Sequence, residues 1–229
     1  MLGNWLSQVA SRIKGSDYRI DERIPDSYLA GVGIERLAMR ARGIAMFPGR
    51  SARPYVGRRV RIRCRSRLTV GTGTTFGHGS YVDALAERGV RFGRNVSVGR
   101  NTRIECTGNL RTLGVGLTVG DDVGLGTDCF YGCAGGIEIG ADTIVGNLVT
   151  MHAENHRYAE GEIPIRLQGV THAGVRIGAN CWIGAKATIL DGAIIEDGCV
   201  VAAGSVVVAG TYAANGIYGG IPARQLGTR

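Results

Sequence analysis

Aliphatic residues return every sixth position in the C-terminal part of this chain. They fall at Ile177, Ile183, Ile189, Ile195, Val201 and Val207, with polar or small residues between them. Neither a helix nor a single amphipathic strand has that period. Four residues after the first five stand Cys181, Ala187, Ala193, Cys199 and Ser205, and Gly178 and Gly184 follow the first two. The same frame runs upstream through Val70, Phe76 and Val82, then Phe92, Val98 and Ile104, then Val119, Leu125 and Tyr131, then Ile139, Val145 and Met151. Gly follows nine of these twelve. The small position is held by Thr74, Ser80, Val96, Thr102, Val123, Cys129, Thr143 and Val149.

Three hexapeptides make one turn of a triangular prism. The frame therefore predicts an all-β fold, a parallel β-helix of about six coils at 70–87, 92–109, 119–136, 139–156, 177–194 and 195–212. One coil cannot bury its apolar side, but stacked coils pair strands edge to edge and share a core. The aliphatic residue points inward and the small residue fits the crowded corner. Cys129, Cys181 and Cys199 take that small slot, which makes them packing residues. Cys64, Cys106 and Cys133 complete the six cysteines, and no zinc-type CxxC pair is present.

The period breaks in four places. Val82 to Phe92, Ile104 to Val119 and Tyr131 to Ile139 each carry a few extra residues, and Met151 to Ile177 carries twenty. A long loop thrown out of a regular scaffold usually carries function. This one reads HAENHRYAEGEIPIRLQGVTHAGVR.

Before the repeat the pattern changes. Residues 26–47 place Leu29, Ile34, Leu37, Ala41 and Ile44 at helical spacing, with Asp26 and Ser27 available to cap. Arg36, Arg40 and Arg42 give this helix a basic side. It is expected to pack its apolar face on the first coil and shield the exposed edge, as solenoid ends require. A helix resting on an anionic membrane surface is the other reading. The chain divides into a basic segment at 1–67 with one or two helices, a repeat body at 68–212 with its loop at 152–176, and a tail at 213–229.

Charge sharpens that division. The net charge is +8, yet residues 1–67 hold fifteen Lys/Arg and five Asp/Glu, so the repeat body is close to neutral. The opening stretch lacks an apolar core of signal-peptide length, and no segment approaches the ~18 apolar residues that span a bilayer. A cytoplasmic location is expected, with peripheral contact at an anionic membrane through the basic segment as an option.

The run IGANCWIGAKATILDGAIIEDGCVVAAGSVVVAG, followed by GGIPARQL, resembles the hexapeptide-repeat acyltransferases, most of all the maltose/galactoside and polysaccharide O-acetyltransferase branch. That resemblance implies a left-handed β-helix, a homotrimer with sites between subunits, and acetyl-CoA as co-substrate. The loop's MHAENHRYAEGEIP resembles the active-site segment of the xenobiotic and streptogramin acetyltransferases, with Asn155, His156 and Arg157 on Asn-His-Arg and Pro164 downstream. It implies His156 as general base, and imidazole suits that task near neutrality. His152 could line the site or orient the acceptor. Glu154, Glu160 and Glu162 are open candidates for orienting His156. His78 reads as a surface residue and His172 as a turn cap.

By the same resemblance Ala185, Ala203 and Arg224 contact coenzyme A, with Trp182 and Lys186 alongside and an oxyanion donor near Gly184–Ala185. Arg224 can grip a phosphate bidentately. The family's usual Thr-Lys is Val208-Ala209 here, which removes one phosphate contact. Tyr131, Cys133, Asn147 and Asn155 are candidates for acceptor contacts. The expected activity is O-acetylation of a sugar hydroxyl in the synthesis of a surface polysaccharide. N-acetylation of an amino sugar or of an antibiotic is the nearest alternative. A γ-carbonic-anhydrase-like zinc enzyme using His152, His156 and His172, and a purely structural solenoid, are remote ones. No metal and no nucleic acid are expected.

Overall fold

The computed structural model describes residues 19–229, so any helix in residues 1–18 lies outside the described residues. Three parallel sheets form the walls of a prism, and successive strands join the first, second and third wall in turn. Strands that neighbour each other within a wall are therefore one coil apart in sequence. Gly124–Leu125 pairs with Ile144–Val145, Phe130–Gly132 with Thr150–His152, and Ile137–Ile139 with Val175–Ile177. The chain is a left-handed parallel β-helix. Every inward aliphatic or aromatic position of the six-residue frame is buried, as is every small position.

The stack reaches further at both ends than residues 68–212. Tyr55–Val56 pairs with Thr75–Phe76, and Arg61–Arg63 with Tyr81–Asp83, so residues 55–70 form a seventh coil ahead of the others. Val56, Ile62 and Leu68 keep the period of six there. Arginines at the outward positions make this stretch look like a basic tail. Residues 213–229 are no loose tail either. Gly216–Gly220 extends the first wall and turns through Ile221–Pro222 into the antiparallel strand Ala223–Thr228.

Corners interrupt the strand ladders and leave turn carbonyls to be satisfied. At six corners the small position supplies the donor, whereas Val96, Val123, Val149, Ala187 and Ala193 only pack and the buried Ser80 hydroxyl has no partner among the described residues. Thr74, Thr102 and Thr143 give their hydroxyls to the carbonyls of Gly93, Gly126 and Gly178 in the next coil, at 3.2, 3.0 and 3.0 Å. Cys129, Cys181 and Cys199 do the same with thiols, to Gly146, Glu196 and Ala213 at 3.3, 3.2 and 3.1 Å. Burial pushes the pKa of all three thiols up, which keeps them protonated donors. Coils sit so close at these corners that a Cβ on Gly99 would lie 1.6 Å from the Gly126 carbonyl oxygen.

The helix, α1 (Asp26–Met46), follows Pro25 with no side-chain cap, so neither Asp26 nor Ser27 plays the expected capping part. Its packing corrects the expectation from spacing. Leu29, Met39 and Gly43 are its buried residues, while Ile34, Leu37, Ala41 and Ile44 face outward. The basic side turns to the prism instead. Arg36 donates to the Thr75 hydroxyl at 3.1 Å, Arg40 to the Arg53 carbonyl, and Arg42 to the Val56 carbonyl at 2.6 Å. Arg36 and Arg40 also lie over the Tyr55 ring. Guanidinium groups win this face because they satisfy backbone carbonyls that an aliphatic face would leave bare.

Thr102 also accepts the Cys129 N–H at 3.2 Å. Thr102→Val strands both this donor and the Gly126 carbonyl inside the corner. It is expected to cost about 1–3 kcal/mol in urea unfolding.

Candidate functional site

The twenty-residue break folds as a two-stranded arm at the corner between the second and third walls. Asn155–His156 pairs antiparallel with Val170–Thr171. Arg157 N–H reaches the Gly169 carbonyl at 3.0 Å. Gln168 ties the tip, accepting the Glu160 N–H and donating to the carbonyls of Glu160 and Ile163. The arm is closed at its neck by Glu154 and His172, whose Oε2 and Nε2 lie 2.8 Å apart. Glu154 thus orients His172 and not His156.

Below the neck, the arm's return is clamped by a buried carboxylate. Asp191, 4% exposed, accepts the N–H groups of Ala173 at 3.0 Å and Gly174 at 2.7 Å. Other coils fill this column with Ala84, Cys106, Cys133 and Ala153, all buried. An acid in a column of small apolar residues was the sequence signal for this clamp, and the period alone did not bring it out.

The histidines occupy different surroundings. His152 stands on the outer face of the second wall, half-buried, its ring 5.5 Å from the Phe130 ring. Burial lowers its pKa below the ordinary 6.5, favouring the neutral imidazole. His156 is exposed on the arm, beside the equally exposed Asn155. His78 serves the fold: its Nδ1 accepts the Arg58 N–H at 2.8 Å, and its Nε2 meets Glu35 of α1 at 2.6 Å. Among the described residues no three metal-ligating side chains gather in one place.

Two residues expected to meet the acceptor are corrected. Tyr131 and Cys133 are wholly buried, Tyr131 with its hydroxyl on the Leu125 carbonyl at 3.0 Å and Cys133 with its thiol on the Tyr131 carbonyl at 3.4 Å. Tyr131 is an inward position of the frame, and that packing role excludes contact with a solute. Asn147 stays exposed at the first–second corner, where its Oδ1 accepts the Thr127 N–H at 3.0 Å.

That corner explains the alanines. Arg58 and Thr127 have their turn N–H groups capped by side chains of the next coil, His78 and Asn147. Ala185 occupies the same column, and the residue after it in the stack is Ala203, which has no side-chain acceptor. Among the described residues the N–H of exposed Ala185 therefore finds no acceptor, as does that of Asn147, which Ala185 follows in the column. Gly184 N–H is spent on the Val201 carbonyl at 2.7 Å, which leaves Ala185 as the open donor. Lys186 follows in the left-handed conformation and is exposed. Trp182, 56% exposed, lies on the outer face of the first wall between Ile144 and Val200. Arg224 is on the last strand of that wall, one guanidinium nitrogen on the Ala223 carbonyl at 3.1 Å. One chain thus carries Trp182, Ala185, Lys186, Ala203 and Arg224 along one wall and its corner. It carries His152 and the arm on another wall and a different corner. A groove of about 260 Å³ beside the neck, with Glu138 between Arg88 and Arg176, opens on the third wall and faces neither set.

Residues 174–209 match the family described as bacterial transferase hexapeptide (six repeats). Among solved structures the chain is similar to AntD, an N-acyltransferase from Bacillus cereus in complex with dTDP and coenzyme A. Identity is 20%, TM-score 0.52, and 76% of this chain and 83% of that one are covered. A second AntD complex, with dTDP-4-amino-4,6-dideoxyglucose and coenzyme A, has 20% identity, TM-score 0.51 and coverage of 76% and 82%. At this identity the likeness shows the fold. No curated protein sequence matches the chain. No described helix is long and apolar enough to cross a membrane.

Asp191→Ala frees two backbone N–H groups at the base of the arm. Hydrogen–deuterium exchange is expected to rise across 152–176 and stay unchanged across 55–70, with the free energy of opening the arm falling by about 2–3 kcal/mol.

Proposed function

We propose that this chain is an acetyl-CoA-dependent acyltransferase acting on a sugar hydroxyl, in the cytoplasm, during synthesis of a surface polysaccharide. The observation that carries the reading is His152. It is a half-buried imidazole, shifted toward its neutral form, at the foot of a built arm, one coil before the stretch that matches the transferase repeat. An imidazole in that state can accept a proton at neutral pH. His156, exposed on the arm, is assigned with Asn155 to the acceptor.

The coenzyme A positions fit their ligand chemically. Ala185 offers an unpaired N–H, Trp182 an exposed apolar plate, and Arg224 a free guanidinium edge for phosphate. Acetyl-CoA, when bound, supplies a thioester carbonyl open to attack. His152 removes the acceptor's hydroxyl proton as that oxygen bonds to the carbonyl carbon. The Ala185 N–H donates to the carbonyl oxygen while negative charge builds there. The C–S bond breaks, and the imidazolium returns the proton to the departing sulfur. Because the two residue sets lie on different walls, the first wall of one copy must meet the second wall of another. A homotrimer provides that three times over. Ile144 and Trp182 on the first wall, both largely exposed and apolar, suit such a contact.

A second reading is N-acylation of an amino sugar, favoured by the likeness to AntD. Acceptor pairs differing only in amine against hydroxyl, followed by release of free thiol, separate the two.

His152→Ala is expected to lower kcat at least 100-fold in that assay, and His156→Ala to act mainly on the KM for acceptor. If His156→Ala instead abolishes transfer and His152→Ala does not, the base lies on the arm. A base with a depressed pKa is neutral at all pH values above that pKa. The acid limb of kcat/KM is therefore expected below pH 6.5, the ordinary histidine value. A limb at or above it would count against His152.

A further inference from the structure

Among the described residues the outward face of α1 has no partner, and it has no role in the proposed chemistry. Ala30, Ile34, Leu37, Ala41 and Ile44 line it, with Leu37 72%, Ile34 69% and Ile44 43% exposed. Their spacing is four, three, four, three, the 3.5-residue repeat of helices that pack along one seam. No charged residue falls on that seam. Its flanks are Gly31, Gly33, Ala38, Arg40 and Ala45, and Arg40 is turned away from it onto the Arg53 carbonyl. A Cβ on Gly31 or Gly33 would meet nothing within 4 Å, so nothing inside this chain calls for glycine there. Each costs roughly 1 kcal/mol against alanine in a helix interior. What glycine admits at such a site is the close approach of another backbone.

We propose that this face binds the same face of a second copy, antiparallel, about a two-fold axis at Leu37. An isologous contact must be self-complementary, and this seam is. Antiparallel pairing sets Ala30 against Ile44, Ile34 against Ala41, and Leu37 against itself, so large residues meet small ones on both sides of the axis. An anionic bilayer fits less well. A helix lying in lipid extends its basic side chains to the headgroups from the edge of its apolar face. Here Arg36, Arg40 and Arg42 turn the other way, onto Thr75, Arg53 and Val56.

The seam is roughly 20 Å long and 10 Å wide. That is less than the ~800 Å² per partner of a stand-alone dimer. The contact therefore joins copies already held together elsewhere, where several such pairs act at once. With the trimer proposed above, three of them give a hexamer of two trimers. The inference rests on that trimer, and a chain that sediments as a monomer or a two-subunit dimer would count against the trimer, whereas a trimer whose mass Leu37→Glu leaves unchanged counts against the seam alone.

Sedimentation equilibrium on the full chain tests it. Leu37→Glu is expected to halve the native mass while leaving the circular dichroism spectrum, the thermal midpoint and acetyl transfer as they were, because Leu37 touches neither core nor site. Ile34→Lys and Ala41→Glu are each expected to halve the mass, and the double variant to restore it, since the antiparallel register sets the two positions opposite one another. An unchanged mass in Leu37→Glu overturns the proposal. So does loss of binding to phosphatidylglycerol vesicles in Leu37→Glu at constant mass, which would give the face to lipid.

Discussion

Every corner of this prism must find hydrogen-bond partners for backbone groups that its short strands leave behind. A strand of two or three residues satisfies its own ladder and nothing more. At six corners a turn carbonyl is met by a hydroxyl or thiol at the small position, those of Thr74, Thr102, Cys129, Thr143, Cys181 and Cys199. Several turn N–H groups are met by Asp, Asn or His side chains of the next coil, as Asp121 meets Arg94 and Asp197 meets Ala179. The constraint accounts for what lines the corners. At exposed Ala185 it is left unmet among the described residues.

The arm obeys the same rule. A twenty-residue insertion brings backbone that no wall can pair, so it pairs with itself, ties its tip with Gln168 and closes its neck with Glu154 and His172. Asp191 then anchors the return strand to the prism. These are held geometries and not a floppy excursion, and they set where His156 and its neighbours can be. His152 belongs to the wall itself, which is why its burial, and with it its pKa, is fixed by strand packing.

At the N-terminal end the first coil has no preceding coil to pair with. Arginines take over the task. Arg50 donates to the carbonyls of Leu68 and Arg65, and Arg65 to that of Met46, while α1 packs on Tyr55–Val56, the first strand of the first wall. Guanidinium, with five donors in a plane, can serve several carbonyls at once. Basic composition in this segment is thus largely structural. It also decides which side of the helix turns inward, and leaves the apolar seam outside.

The sequence by itself determined the β-helix. A period of six with aliphatic residues inward admits few other folds, and all of Val70 through Val207 in that frame are buried. It also marked the arm, because an interruption of a strict period is visible without coordinates. Three things were decided only in three dimensions. The seventh coil was hidden because arginines at its outward positions masked Val56, Ile62 and Leu68. The face of α1 turned round because unpaired carbonyls on the first coil outbid aliphatic contacts, and spacing carries no information about the neighbour's chemistry. The partners of His78, His172 and Asp191 came from which groups the corners bring together. Glu154 and His172 are eighteen residues apart in sequence and 2.8 Å apart in space. A repeating pattern states which side of each residue is buried. The hydrogen-bond partners, which depend on what the adjacent coil presents, are set by the stacked structure.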